Sequence, residues 1–356
     1  LAVGSSVNSS ADLDMVVWRL TASGTLDSSF SGNGIYSHDN AAGGSGDDIG
    51  YSITVDESNN IYVTGTSMNG SGNFDMAVWK ITESGALDSS FNGTGVFIHD
   101  NAAGGSLNDQ GNKIKIDQSN KIVVVGYSDQ SATNRDLAIW RMNEAGVLDT
   151  TFDSDGIVTQ DGSAGGEDDV GNSFDFDTSG NLVVVGQGES VSNFGDMVVW
   201  KYTSGGILDT SFNTTGIFSH NGAAGGSGFD AANDVAIDHD GNYLVAGYSR
   251  NGEGNTDMTL WKLQPDGSFD TSFAQSGVAV FDVSEIHGGA SNDSGQSIYI
   301  DGARNILVAG NGNQDMCIWR FEENGELDTN FNVDGFFSHD SAAGGFGIDR
   351  GAAVIE

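Results

Sequence analysis

The chain has 356 residues, of which 50 are acidic and 13 basic, giving a formal net charge of −37. That charge repels phosphate backbones and anionic lipid heads, so nucleic acids and membrane surfaces are disfavoured as partners, while cations or a basic partner are favoured. A single cysteine, Cys317, leaves no disulfide framework within the chain and reads as a small buried hydrophobe.

Six tryptophans, Trp18, Trp79, Trp140, Trp200, Trp261 and Trp319, stand 58 to 61 residues apart, each preceded four positions earlier by an aspartate and followed by Lys or Arg. A period of about 60 residues made of strand-like segments is the signature of a repeat array or propeller. In the second copy, Tyr51 to Val55 alternates, turns at DESNN and is followed by a β-branched run from Ile61 to Gly65, giving two antiparallel strands. A polar loop leads to a third strand, FDMAVWKI at 74–81, and TESGALDSSFNGTG connects it to a fourth, VFIHD at 96–100. The glycine-rich link NAAGGSLNDQG then opens the next copy. No apolar stripe of helical period is present.

Four strands in each of six copies predict an all-β, six-bladed β-propeller that is a single domain over 1–356. The blades are expected at 50–100, 111–161, 171–221, 232–282 and 295–340, with the first made of 1–39 plus 351–356. The phase of the ends gives that last division: LAVG matches YVTG at 62–65, and GAAVIE matches GYSITV at 50–55. Pairing the C-terminal strand with the N-terminal blade would close the ring. The chain starts without Met and without a charged leader, and reads as a mature or excised segment.

The string DMVVWRLTASGTLDSSFSGNG and its five further copies resemble the delta-60 repeat, a bacterial β-propeller repeat. The resemblance covers the whole chain. It rests on the LD[ST][STN]F motif at Asp27, Asp88, Asp149, Asp209, Asp270 and Asp328, followed each time by a glycine four residues after the Phe. The chain departs from the family pattern in placing Trp before the basic residue, and Ser, Asn, Asp or Ala after the Phe. The resemblance implies a large secreted or cell-surface bacterial protein, and carries no shared catalytic activity.

The aspartate that opens each third strand (Asp14, Asp75, Asp136, Asp196, Asp257, Asp315) is expected to satisfy loop amides or an ion pair. The methionines beside it (Met15, Met76, Met197, Met258, Met316) read as core. The basic residue after each Trp is expected to meet an acidic repeat position such as the LDxxF aspartate. His38, His99, His220 and His339 share one repeat position on separate blades, so they cannot share a metal, and His239 and His287 lie in loops without zinc spacing. No catalytic triad, phosphate loop or dinucleotide fingerprint is present.

The link from fourth to first strand is the best candidate for site chemistry. It places carboxylates in pairs around a Gly-Gly turn: Asp39 with Asp48, Asp100 with Asp109, Asp161 with Asp169, Asp282 with Asp293, and Asp340 with Asp349, whereas the fourth copy has Asn221 with Asp230. Partly buried, such pairs need an ion or a proton, and calcium suits them because it takes six to eight oxygen ligands. Solvated loops whose aspartates cap backbone amides are the alternative. Copies differ at Thr54, Lys115, Asp175, Ala236, Tyr299 and Ile355; with Lys113 and Asp234 these are candidates for an asymmetric channel site or for neutral drift.

The expected function is a noncatalytic extracellular interaction or structural module, presenting loops on a rigid disc to a glycan, a protein or itself. One alternative is a calcium-dependent propeller hydrolase or lactonase with one axial metal, which needs acidic ligands such as Asp175 and Asp234 to converge. Another is a self-assembling surface-layer or filament component.

Overall fold

The computed structural model describes residues 1–191, 194–283, 291–339 and 351–354. They form two compact units, one of residues 1–161 with 167–171 and one of 162–166 with 172–356. The first unit holds a three-stranded sheet, β1 (Ala2–Val7), β2 (Leu13–Trp18) and β3 (Ile35–His38), and two four-stranded sheets. These are β4 (Gly43–Val55) to β7 (Val96–His99) through β5 (Ile61–Asn69) and β6 (Phe74–Ile81), and β8 (Asp109–Ile116) to β11 (Ile157–Gln160) through β9 (Ile122–Ser131) and β10 (Asn134–Met142).

The second unit is built on three further four-stranded sheets. They are β12 (Gly165–Phe176), β13 (Leu182–Ser190), β14 (Gly195–Tyr202) and β15 (Ile217–His220); then β16 (Gly225–Ile237), β17 (Tyr243–Asn251), β18 (Thr256–Leu263) and β19 (Val278–Phe281). The last is β20 (Ser294–Ile300), β21 (Ile306–Gly312), β22 (Asp315–Phe321) and β23 (Phe336–His339). The described strands pair with their sequence neighbours, so each repeat folds as one antiparallel sheet and the all-β six-bladed propeller is the fold.

One expectation is corrected. The glycine-rich links are partly strand: β4 starts at Gly43, which pairs with Asn69 before a bulge restores register at Asp48. Glycine permits this, because a Cβ on Gly44 would lie 2.4 Å from the carbonyl oxygens of Met68 and Asn69. The described part of the segment expected to supply the last first strand, 351–354, packs on the sixth copy: Gly351 N–H donates to the Gly310 carbonyl at 3.0 Å and Val354 N–H to Ser297 Oγ at 3.3 Å, the latter as Ile114 N–H donates to Ser52 Oγ and Ile298 N–H to Asp234 in earlier copies.

Central strands such as β5 are apolar on both faces because each is covered on both sides, so they read as continuous β-branched runs rather than alternation. Trp79, Trp140, Trp200, Trp261 and Trp319 are fully buried and Trp18 partly so. Each buried indole contributes roughly 4–6 kcal/mol of transfer free energy. Met15, Met76, Met197 and Met258 are buried beside them, as expected of core. Cys317 is buried too, which pushes its thiol up to about 12 and fits a small hydrophobe rather than a reactive thiol.

Within each unit, successive copies are joined by repeated contacts. The motif Phe packs under a glycine of the next copy, and the residue after it donates its amide there: Ser31 to Ser84 at 2.8 Å and Asn92 to Ala145 at 2.7 Å in one unit, Asn213 to Asp266 at 2.8 Å in the other. The expected ion pairs are present in all six copies: Arg19–Asp27 2.9 Å, Lys80–Asp88 3.1 Å, Arg141–Asp149 3.0 Å, Lys201–Asp209 3.4 Å, Lys262–Asp270 3.6 Å and Arg320–Asp328 3.3 Å.

The repeated histidines also link copies. Trp79 Nε1–H donates to His38 Nδ1 at 3.3 Å and Trp261 Nε1–H to His220 Nδ1 at 3.2 Å. In the third copy Gln160 takes the histidine position and Ser163 Oγ accepts from Trp200 instead, at 2.7 Å. In the fifth, Phe281 takes it and packs edge-on to Trp319 at 6.3 Å. Burial lowers the pKa of His220, so an unfolded chain takes its proton first and the fold loses stability as pH falls below about 6.5. His220→Phe copies the fifth blade: it should change stability at pH 7 by less than about 1.5 kcal/mol and weaken that acid sensitivity, as read by urea unfolding at two pH values.

Candidate functional site

Register brings acidic residues together that lie far apart in sequence. β6 pairs with β7 so that Met76 lies opposite His99, which sets Asp75 opposite Asp100. The same register sets Asp14 against Asp39, Asp136 against Asp161, Asp257 against Asp282, and Asp196 against Asn221. The second linker aspartate closes the group. Asp257, Asp282 and Asp293 place carboxylate oxygens within 4.8 Å of one another, and no other such group of metal-ligating side chains occurs among the described residues. Asp340 and Asp349, with His287, lie outside the described residues.

Asp48, Asp109, Asp169, Asp230 and Asp293 are buried rather than solvated, at 0 or 1% exposure. Each holds its own linker turn where the bonds are described. Asp109 accepts from the amides of Asn101 at 2.8 Å and Ala102 at 3.3 Å, while Ser128 Oγ accepts from Ala103 N–H at 2.9 Å. Asp48 repeats this with Asn40 and Ala41, Asp230 accepts from Gly222 at 2.9 Å, and Asp293 from Val283 at 2.7 Å. Burial nevertheless wins at Asp109, whose carboxyl is pushed up to about 6 against the bonds from Ser128, Asn101 and Ala102.

The strand-opening aspartates are shifted the same way. Burial, then the charges of Asp100 and Asp109, pushes Asp75 up to about 6 against its bond from Asn69. Burial with Asp161 and Asp168 does so at Asp136, and burial with Asp282 and Asp293 at Asp257, each to about 6. Asn69 Nδ2–H and Asn251 Nδ2–H donate to Asp75 and Asp257, at 2.6 and 2.8 Å, as expected of an aspartate that satisfies loop amides.

The inner-strand candidates behave differently. Asp234 is buried and accepts from Ser173 Oγ–H at 2.6 Å and the Ile298 amide at 3.1 Å, tying three sheets of the second unit together. Asp175 accepts the amide of its neighbour Phe176 at 2.9 Å. Among the described residues no metal-ligating group forms around them.

Symmetry breaks in a place the sequence reading passed over. The residue before each buried linker aspartate normally caps the loop ahead of a third strand: Asp47 accepts from Leu13 N–H at 2.8 Å, Asn108 from Phe74 at 3.0 Å, Asp168 from Arg135 at 2.9 Å and Asn292 from Thr256 at 3.1 Å. The fourth copy has Phe229, which cannot make that bond. Phe229 is 47% exposed and Phe194 37%, and their rings meet edge to face at 5.6 Å. Beside them opens a cavity of about 640 Å³ within the second unit, lined by Phe229 and Tyr248, the amides of Asn292, Gln296 and Asn311, and the hydroxyls of Thr256 and Ser294. Among the described residues no charged side chain lines it.

Repeated antiparallel sheets, a shared inter-copy lock and a ligand-sized cavity at one break in the repeat define a repeat-built β-propeller. The chain belongs to the beta-propeller family described as a domain of unknown function, DUF5122, whose model matches at residues 1–30, 58–91, 118–152, 178–212, 239–273 and 298–331. A second beta-propeller repeat model matches residues 42–73. Both agree with the resemblance read from the LDxxF motif. No curated protein matches the chain.

Among solved structures the chain is similar to a fucose lectin from Kordia zhangzhouensis in complex with methyl-fucoside, at 14% identity and TM-score 0.30, over 47% of this chain and 94% of that one. It is similar to an ulvan lyase of polysaccharide lyase family PL25, at 10% identity and TM-score 0.44, over 94% of this chain and 79% of that one. A mannose phosphorylase from Leishmania mexicana gives 8% identity and TM-score 0.36, over 76% of this chain and 79% of that one. No helix among the described residues is long and apolar enough to cross a membrane.

Proposed function

We propose that this chain is a noncatalytic interaction module of extracellular type, and that its ligand is a neutral carbohydrate bound against Phe229. One observation carries the reading: in a chain of net charge −37, a large cavity at the break in symmetry is lined, among the described residues, by aromatic rings, amides and hydroxyls without a charge. A sugar ring presents a C–H face that packs on an aromatic side chain and a rim of hydroxyls that need neutral donors and acceptors. Asn292, Gln296, Asn311 and Tyr248 supply that rim. Among the described residues the lining offers no Asp, Glu, His, Lys, Arg or Cys to act as acid, base or activated nucleophile, which favours binding over turnover.

Phe229 has also given up a capping bond that its counterparts keep, so its presence is better explained by what it meets in solution. Affinity electrophoresis through gels containing neutral or anionic polysaccharides tests this. Retardation by a neutral polysaccharide is expected, weakened at least about tenfold by Phe229→Ala with melting unchanged. Equal retardation of the variant, or retardation by anionic polymers alone, would sink it.

A further inference from the structure

Aspartates directly opposite one another across an antiparallel pair destabilise the sheet, yet the β-ladder sets Asp75 against Asp100 and Asp257 against Asp282. We propose that Asp257, Asp282 and Asp293 hold a calcium ion, and that the equivalent aspartates of the second and third copies each hold another. Among the described residues the donor set is all oxygen, with no histidine or thiolate, which selects a hard cation. Oxygens on opposite sides of a calcium ion, each about 2.4 Å from it, lie about 4.8 Å apart, and the three carboxylates fall inside that span.

An independent observation points to a missing ligand. Asp136 is 4% exposed and its Oδ1 has no hydrogen-bond partner, while the carboxylate of Asp161 stands across the ladder from it. In the second and fifth copies an asparagine amide covers this oxygen; in the third, Gln130 takes the asparagine position and accepts from Asn134 instead. A buried anionic oxygen left without a donor is costly, and a cation on Asp136 and Asp161 removes that cost.

The fourth copy shows the same place solved without an ion. Asn221 replaces the first linker aspartate, and its Nδ2–H donates directly to Asp196 Oδ1. One neutral donor thus substitutes for the cation that facing carboxylates require. The calcium sites stand apart from the carbohydrate reading, although Thr256 and Asn292, which line the cavity, are the chain neighbours of Asp257 and Asp293.

The test is native mass spectrometry and calorimetry on the full chain, stripped of cations by a chelator and titrated with calcium chloride at fixed ionic strength. At least three ions are expected, one fewer in Asp257→Asn and one more in Asn221→Asp. Should Asp257→Asn fail to fold, Asn221→Asp still decides, because it changes an exposed residue. A chain that takes up no calcium at millimolar concentration, or one whose stoichiometry is the same in wild type and Asn221→Asp, overturns the proposal.

Discussion

Calcium added to chelator-treated protein at pH 7.5 is expected to raise the melting temperature by more than about 10 °C at fixed ionic strength. Each site filled at about a hundred times its Kd adds about 2.7 kcal/mol, so three sites add roughly 8 kcal/mol, and 1 kcal/mol moves the melting point by about 2 °C in a chain of this size. The effect must fade on acidification. Asp75, Asp109, Asp136 and Asp257 titrate at about 6 in the fold, each pushed up first by burial, against about 3.9 in an unfolded chain. Their protonated state therefore stabilises the metal-free fold: that contribution is fully present below about 3.9 and lost as pH rises through 6.

Protons and calcium compete for the same oxygens, so the calcium-induced shift should be largest above pH 6 and shrink toward pH 5. Comparing melting with and without calcium at each pH cancels the opposing effect of His38, His99 and His220, whose pKa values burial lowers. A shift matched by sodium chloride of equal ionic strength would mean that screening of the net charge is responsible.

These sites were half legible in the sequence. The linker aspartates stand out because they repeat around a Gly-Gly turn, and their burial follows once that turn is known to enter β4 and β16 as strand. The third carboxylate hid behind a plausible local role. A strand-opening aspartate looks like a cap, and only the ladder register shows that the residue 25 positions later faces it, from Asp75 to Asp100 and from Asp257 to Asp282. Constant spacing combined with strand pairing would have found it.

Phe229 was missed for the opposite reason. Scanning for symmetry breaks along the inner strands looked at Lys115, Asp175 and Tyr299, whereas the break that opens a surface lies one residue before a buried aspartate, where a lone aromatic in a loop passes for drift. The fold itself was legible because every copy repeats the same period-two and turn signals.

Replacing Lys262 by methionine is expected to destabilise the protein by about 3–5 kcal/mol, read as a fall in the urea midpoint. Lys262 is 5% exposed and its Nζ lies 3.0 Å from Asp238 and 3.6 Å from Asp270. Removing it leaves two carboxylates facing each other without a counter-charge, in a chain that already carries −37. The other copies supply the control, since Arg19, Arg141 and Arg320 hold the same slot with arginine, so Lys262→Arg should stay within about 1 kcal/mol of wild type. Adding Asp270→Asn to Lys262→Met should restore part of the loss, because the remaining carboxylate then has a neutral amide beside it. If Lys262→Met costs under about 1 kcal/mol, the ion pairs set geometry without holding the fold, and apolar packing around Phe273 with the amide bond from Ala274 to the Asn324 carbonyl joins this copy to the next.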